Sequence, residues 1–369
     1  MANSRNKNQQ PVVSAQTPAG DAKPSPLADL ICAVTVGIDI GFGVTKAVTH
    51  TGKSVLFPSV CGVAREFKFQ GEKITEKHPG DQLTDEDGNW FVGDLALRQL
   101  RPDEILKLRA RASNDVGNAF RVRMMKAALG KVLPGLRNGA DVVHVRLATG
   151  LPVDHMPDAG QLKAALLGKH VIHTDQTHFI ANVVEVMVMP QPYGTIYSKQ
   201  ILPNGQLDPS YTYMLTGVID TGTYSVDFAV DDDGEYISQY SGSIEAGVYT
   251  VQEKIAVNLE DTYKQKFPLH DIEKVLRSKK LNIAGKPVDF TKTVDEYVSQ
   301  MADGVVMKAA DLWKEAGRLD VIWLSGGGAA LVEKAIRSAY PQAQVVQAAQ
   351  TANAQGYCNY AMFAATDGQ

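Results

Sequence analysis

Cysteine is scarce in this chain. Cys32, Cys61 and Cys358 are far apart and form no CxxC pair, which excludes a disulfide framework and the usual structural zinc sites and fits a reducing, cytoplasmic setting. No apolar run approaches the roughly 20 residues that a membrane-spanning helix needs. The first residues also lack the apolar stretch of a secretory signal, so neither membrane association nor export is expected. Positive charge is not in excess either: 37 Lys and Arg against 41 Asp and Glu give a formal net charge of -4, which argues against a broad direct contact with nucleic acid. The one dense basic stretch, RVRMMK at 121–126, reads as the solvated face of a helix.

The chain has 369 residues, more than one compact core usually serves, so two domains are expected. Residues 1–30 are poor in large apolar side chains and rich in Pro, Ser, Asn and Gln. Such a segment cannot bury enough surface to offset its ordering entropy, and a disordered tail is expected there.

Two stretches then follow one plan. VGIDIGFGVTKAV (36–48) and TGVIDTGTYSVDFAV (216–230) each hold an apolar run, an Asp, a glycine turn and a second apolar run. Overlaid, Asp39 falls on Asp220 and Gly41 on Gly222. Both read as β-hairpins. Around them the pattern predicts a strand at SVLFPSV, a helix at NDVGNAFRVRMMKAALGKVL, a strand at VVHVRLATGLP, a helix at DAGQLKAALLG and a strand at FIANVVEVMVMPQP. In the second half helices are expected at 246–266, 270–279 and 291–316. A strand, glycine turn and helix follow at DVIWLSGGGAALVEKAI, then a strand at AQVVQ and a helix at NAQGYCNYAMFAA. Hairpin-plus-helices occurs twice, as in a duplicated α/β unit. Residues 62–112 are polar and read as short strands and loops added beside the core.

The chemistry gathers at three turns. Gly41 and Gly43 lack the Cβ atoms that would block a ligand, so backbone N–H groups can converge on an anion. Thr45 and Lys46 add a hydroxyl and a cation. Asp39 would repel phosphate unless a divalent cation lay between them, and Mg²⁺ is commonly held by one or two carboxylates plus phosphate. The second turn repeats the arrangement with Asp220 and Gly222, and offers the hydroxyls of Thr223 and Ser225. The third, LSGGGAAL at 324–331, lets flat ligand groups pack on the backbone. Its contiguous glycines match neither GxxxxGK[ST] nor GxGxxG, so an ordinary P-loop or Rossmann site is disfavoured. His170, His173 and His178 lie close in sequence but lack further ligands at metal spacing. Met187, Met189, Trp313 and Trp323 read as core.

GIDIGFGVTK, MPQPYG, VIDTGTYSVDF and LSGGGAAL together resemble the phosphate-1, connecting, phosphate-2 and adenosine motifs of the actin, sugar kinase and heat-shock chaperone ATPase superfamily. With VLFPS and ANAQGYCNYA, the resemblance within it is to prokaryotic actin-like proteins of the ParM plasmid-segregation type and their archaeal relatives, over about residues 34–365. That resemblance implies an α/β, ribonuclease H-like duplicated fold with two lobes around a nucleotide cleft. The lobes would span 31–205, with an insertion at 62–112, and 206–369, with the last helix packing back on the first lobe. It implies that Gly41, Phe42, Gly43, Val44, Thr45 and Lys46 cradle phosphates and that Asp39 and Asp220 hold Mg²⁺ largely through water. Gly222, Thr223 and Tyr224 would contact the β- and γ-phosphates. Gly326, Gly327, Gly328 and Ala329 would line the adenosine pocket, with Glu273 and Lys274 near the ribose. Gln191 would orient the attacking water, with Asp220 assisting. The implied function is a slow ATPase that binds ATP or ADP and assembles with itself into filaments, with a separate DNA-binding adaptor, no direct nucleic-acid contact and no membrane. Two alternatives stay open: a small-molecule kinase, for which Asp154 is the conspicuous base, and a nucleotide switch that does not polymerise.

Overall fold

In the computed structural model, residues 33–108, 114–211, 214–314 and 318–366 are described; the tail expected at 1–30 lies outside them. The first domain opens with β1 (Val34–Ile40), β2 (Val44–Thr49), β3 (Ser54–Pro58) and β4 (Val60–Val63). It continues through α1 (Gly71–Lys77), β5 (Gln82–Asp85), β6 (Gly88–Val92), α2 (Gly93–Gln99) and β7 (Leu106–Lys107). Next come α3 (Asn114–Val132), β8 (Val142–Leu151), α4 (Ala159–Leu166), β9 (Gly168–Thr174), β10 (His178–Pro190) and α5 (Gln191–Gln200). The second domain holds β11 (Leu215–Thr221), β12 (Val226–Asp232), β13 (Glu235–Tyr236), β14 (Gly242–Ile244), α6 (Val248–Tyr263) and α7 (Leu269–Ser278). It ends with β15 (Lys280–Ile283), β16 (Lys286–Asp289), α8 (Thr291–Leu312), β17 (Val321–Ser325), α9 (Ala329–Ala339), β18 (Ala343–Val345) and α10 (Ala352–Thr366).

The first sheet runs β3-β2-β1-β8-β10-β9-β5-β6-β4-β7, and the second β13-β12-β11-β17-β18 with β14 also on β12. Their centres are alike. In each, an antiparallel hairpin (β1–β2, β11–β12) is followed by two parallel additions (β8 and β10, β17 and β18). One core packs α3, through Met124, Met125, Leu129 and Val132, on Val36, Ile38, Val145 and Leu147. The other packs Val251 and Ile255 of α6, Val305 of α8 and Ile336 of α9 on Ile219, Phe228, Ile322 and Leu324. Trp313 and Trp323 are buried, and Met189 with Met187 packs against Tyr357 and Ala361, so these residues serve as core.

Two helices exchange sides. The helix that follows the first sheet, α5, packs on β11, β12 and β17 of the second, where Tyr193 and Ile196 meet Val218, Val321 and Trp323. The helix that follows the second sheet, α10, lies on β1, β2 and β8 of the first. Glycine permits both contacts: a Cβ on Gly37 would overlap Ala354 O, and one on Gly356 would overlap Gly194 O where α5 and α10 cross.

Several expectations need correction. The RVRMMK stretch is not a solvated face. Arg123 and Lys126 are buried, and the tip of the β5–β6 hairpin closes over them. Arg123 bonds Asp85 through Nε at 2.7 Å and Asp87 through Nη2 at 2.8 Å, stacks 3.6 Å above the Trp90 ring, and Lys126 reaches Glu86 at 2.7 Å. Residues 62–112 hold the expected short strands but also two helices, and the strands join the first sheet through the β5–β9 pair instead of standing beside it. Strand β9, helix α5 and the β15–β16 hairpin were not expected. His173 and His178 face each other across β9 and β10 with rings 4.9 Å apart. Among the described residues no group of three or more His, Cys, Asp or Glu could hold a metal ion, and no helix is long and apolar enough to cross a membrane. Cys61 and Cys358 are buried, which pushes their thiols up to about 11 and about 12 and leaves them protonated and unreactive.

Candidate functional site

Hairpin register sets the charges of the site. In the first hairpin Asp39 stands directly across from Lys46, so both side chains share a face and form an ion pair at 2.8 Å. In the second, with the same register, Asp220 stands across from Asp227. The position of the lysine is thus taken by a second carboxylate. Asp220, Asp227 and Asp39 are all buried. Burial first, then the negative charges of Asp227 and Asp39, push the Asp220 carboxyl from 3.8 up to about 6, against the pull of Lys46 and of a hydrogen bond from Asn353.

The two turns meet across the cleft. A Cβ on Gly43 would overlap the Thr223 side chain, and the Phe42 ring stands edge-on to Tyr224 at 6.1 Å and 85°. The second turn is braced by the start of α6, because Val248 N and Tyr249 N donate to the carbonyls of Gly222 (3.1 Å) and Thr223 (2.7 Å). The glycine turn after β17 needs its first glycine, since Gly326 has φ +85°. Gly328 N then ties it to Thr221 O at 3.0 Å.

These turns frame a cleft of about 720 Å³. Asp39, Gly41, Phe42, Gly43, Val44 and Lys46 line it from the first hairpin, and Asp220, Gly222, Thr223 and Tyr224 from the second. Ser225, Gly326, Gly327 and Glu273 complete the predicted residues found there, and Gln191 also lines it. Gln191 is no solvated turn residue. It begins α5, its carbonyl accepts from the Tyr357 hydroxyl at 3.1 Å, and its Nε2 is 3.4 Å from Asp39 Oδ1.

Four predicted residues are not brought to the cleft. Thr45 faces the other side of β2, as strand alternation requires, and its hydroxyl is 2.8 Å from Ser59 Oγ. Gly328 serves packing, because a Cβ there would stand 2.5 Å from Thr221 Cγ2 and 2.6 Å from Val248 Cγ2. Ala329 is buried at the start of α9 beside it. Lys274 is exposed and points away, and the side chain of Asp154 lies outside the described residues. Asp227 and Asn353, both lining the cleft, were missed. The overlay that aligned Asp39 with Asp220 places Asp227 on Lys46 and held the signal for the first; Asn353 had none.

The donor set suits a hard cation. Asp39, Asp220 and Asp227 are facing carboxylates, of which Asp39 is paired with the ammonium of Lys46, and oxygen ligands of this kind fit Mg²⁺. With no three acidic groups close enough to chelate directly among the described residues, the ion would be held partly through water. The cradle between Gly43 and Thr223 is one that side chains larger than hydrogen would fill.

The excess negative charge has a testable cost. In the folded chain Asp220 holds its proton up to about pH 6, against 3.8 ordinarily. Its contribution to stability is therefore fully present below about pH 4 and is lost as pH rises through about 6. Asp227→Asn removes one repelling neighbour and keeps the acceptor for Ser225 Oγ, which now donates to Asp227 Oδ2 at 2.9 Å. In thermal melts without nucleotide the variant should gain roughly 1 kcal/mol at pH 7.5, with the gain vanishing near pH 4. An equal gain at both pH values would refute this account.

Two domains that repeat one hairpin-plus-parallel core, exchange a helix each and hold a carboxylate-lined cleft between matched turns define the actin class of fold. Two family models match in tandem: "Actin like proteins N terminal domain" over residues 37–194 and "Archaeal actin homologue MreB-like, C-terminal" over residues 218–338. The chain is a prokaryotic actin-like protein. Among solved structures it is similar to a ParM from a 15-stranded filament of Clostridium botulinum, with 21% identity, TM-score 0.71, and 89% of this chain and 99% of that one covered. It is similar to Ta0583, an archaeal actin homolog in complex with ADP, with 19% identity, TM-score 0.70 and coverage of 89% and 99%. The Alp12 filament protein follows at 13% identity, TM-score 0.63 and coverage of 89% and 98%. A comparison with curated protein sequences finds no match.

Proposed function

We propose that this protein binds ATP with Mg²⁺ in the cleft between its two domains, hydrolyses it slowly and assembles with itself into nucleotide-dependent filaments. The observation that carries the reading is the meeting of the two hairpin turns at Gly43 and Thr223, with Asp39 and Asp220 buried on either side. The relatives' names add support: two are filament proteins, and one was solved with ADP.

In this reading the domains divide at 31–205 and 206–369. Backbone N–H groups of the two turns and the Lys46 ammonium bind the phosphates. Asp39 and Asp220 hold the metal, which supplies neutralisation of phosphate charge. Gln191 offers one amide donor and one acceptor to the attacking water; a neutral amide orients water but is a poor base, so turnover is slow and depends on cleft closure. Asp220, a carboxyl displaced towards neutrality, takes the water's proton. Closing the cleft favours the conformation whose faces add end to end, and hydrolysis weakens those contacts. Residues 62–112 contribute to the assembly face. Plasmid or other DNA is moved through a separate DNA-binding adaptor in the cytoplasm, with no direct nucleic-acid contact by this chain.

Electron microscopy and sedimentation of purified protein with Mg²⁺ test this. Filaments and a pelleted fraction are expected with ATP and dispersal with ADP. Calorimetry that detects no binding of adenine or guanine nucleotides would refute the reading, and binding without any pelleting would reduce it to a nucleotide switch.

A further inference from the structure

Behind the cleft a buried chain of polar side chains runs from the second hairpin to the glycine turn. Asn353 of α10 donates from Nδ2 to Asp220 Oδ2 at 2.7 Å. Its Oδ1 accepts from Thr195 Oγ1 of α5 at 2.8 Å, and Thr195 Oγ1 is 2.7 Å from Ser325 Oγ. Thr195 and Ser325 are wholly buried, and Asn353 nearly so. Asp220 and Ser325 are themselves register partners on β11 and β17, and Ser325 immediately precedes Gly326.

The donors and acceptors fix the orientation of the amide. A carboxylate only accepts, so the amide must turn its NH₂ towards Asp220 and its oxygen towards Thr195. Thr195 Oγ1 is placed to donate to that oxygen and to Ser325 Oγ, so its single proton is shared between the two and Ser325 helps to fix the hydroxyl. The other oxygen of Asp220 packs beside Gly326, where a Cβ would stand 2.5 Å from Oδ1. One oxygen is thus tied and the other confined. The tie runs through both crossing helices.

We infer that Asn353 is a positioning residue which, held by Thr195 and Ser325, sets the orientation of the Asp220 carboxylate and links it to the glycine turn. The inference rests on the ATPase reading above. Thr195 is absent from the cleft lining and reaches Asp220 only through Asn353, so its variants isolate the relay from direct contact with a ligand. An unfixed amide lets the carboxylate wander, and misplacement of a reacting group costs rate more than ground-state affinity.

Thr195→Val keeps the shape and removes the hydroxyl. It is expected to lower kcat about tenfold with KM changed less than twofold, and to shrink the gain in ADP affinity that Mg²⁺ brings, read by calorimetry with and without the metal. Thr195→Ser should restore both. Asn353→Ala should lower kcat further, and the double variant should be no worse than Asn353→Ala alone, because the two act in series. Ser325→Ala, which spares the Thr195–Asn353 bond, should lower kcat about threefold and keeps the idea testable if Thr195→Val does not fold. Wild-type turnover in Thr195→Val or in Ser325→Ala, no rescue by Thr195→Ser, or additive losses in the double variant would overturn the relay and leave the ATPase standing. A wild-type chain that binds no nucleotide would sink both.

Discussion

Asp220→Asn should cut ATP turnover at least a hundredfold and, in the same protein, raise the stability of the nucleotide-free chain. The first effect follows, under the proposed function, from losing the carboxyl that would hold the metal and accept the proton, a contribution of about 10²–10⁴ in rate for general-base groups. The second follows from the displacement of that carboxyl from 3.8 to about 6. At pH 7.5 the buried, ionised group disfavours the folded state by about 3 kcal/mol relative to an unperturbed one. An amide carries no charge to desolvate and can still accept from Asn353. The melting temperature should rise by several degrees at pH 7.5 and by little near pH 4. Retained turnover, or a variant less stable than wild type at neutral pH, would remove Asp220 from its assigned role. A gain in stability with a loss of activity is the usual sign that a site holds unfavourable charge for the sake of a ligand.

Gly356→Ala should cost about 4 kcal/mol or more and prevent normal folding. The added methyl would overlap the Gly194 carbonyl oxygen and stand 2.6 Å from its carbon and 2.7 Å from Ser198 N. All of these are backbone atoms of α5, which cannot rotate aside as a side chain can, so the whole crossing must open. Gly304→Ala supplies the control. It lies within α8, where a Cβ meets nothing within 4 Å, and the better helix propensity should stabilise by about 0.5–1 kcal/mol. The same substitution is thus expected to act with opposite sign in two helices. Similar melting temperatures for both variants would show that the crossing is looser than described.

Much of this was legible in the sequence because hairpins and glycine turns announce themselves locally. The overlay of 36–48 on 216–230 located both turns that meet at the cleft, and the third turn was read from its contiguous glycines. What escaped was decided at a distance. RVRMMK looked like a surface because its partners, Asp85, Glu86 and Asp87, lie about 40 residues earlier and cover it only after folding. Helix α5 was hidden by Pro190, Pro192 and Gly194, which read as a strand end and turn; yet a proline in the first helical turn costs little, and the glycine is what lets α10 approach. Thr45 was placed on the ligand side by its company in the motif, although period-two alternation puts it on the face opposite Lys46. Asn353 carried no local signal, since its role depends on α10 crossing back to the first sheet.

That crossing also dictates the order in which the molecule can be finished. The face of β1 that α10 covers is synthesised some 300 residues before its cover, so the leading half emerges with an apolar surface that its own contiguous chain cannot shield. Contacts of such wide sequence separation are entropically late and slow to form. Newly made chains would therefore depend on aggregation-suppressing helpers during translation, and the leading half expressed by itself should be insoluble unless the α10 segment is supplied in trans.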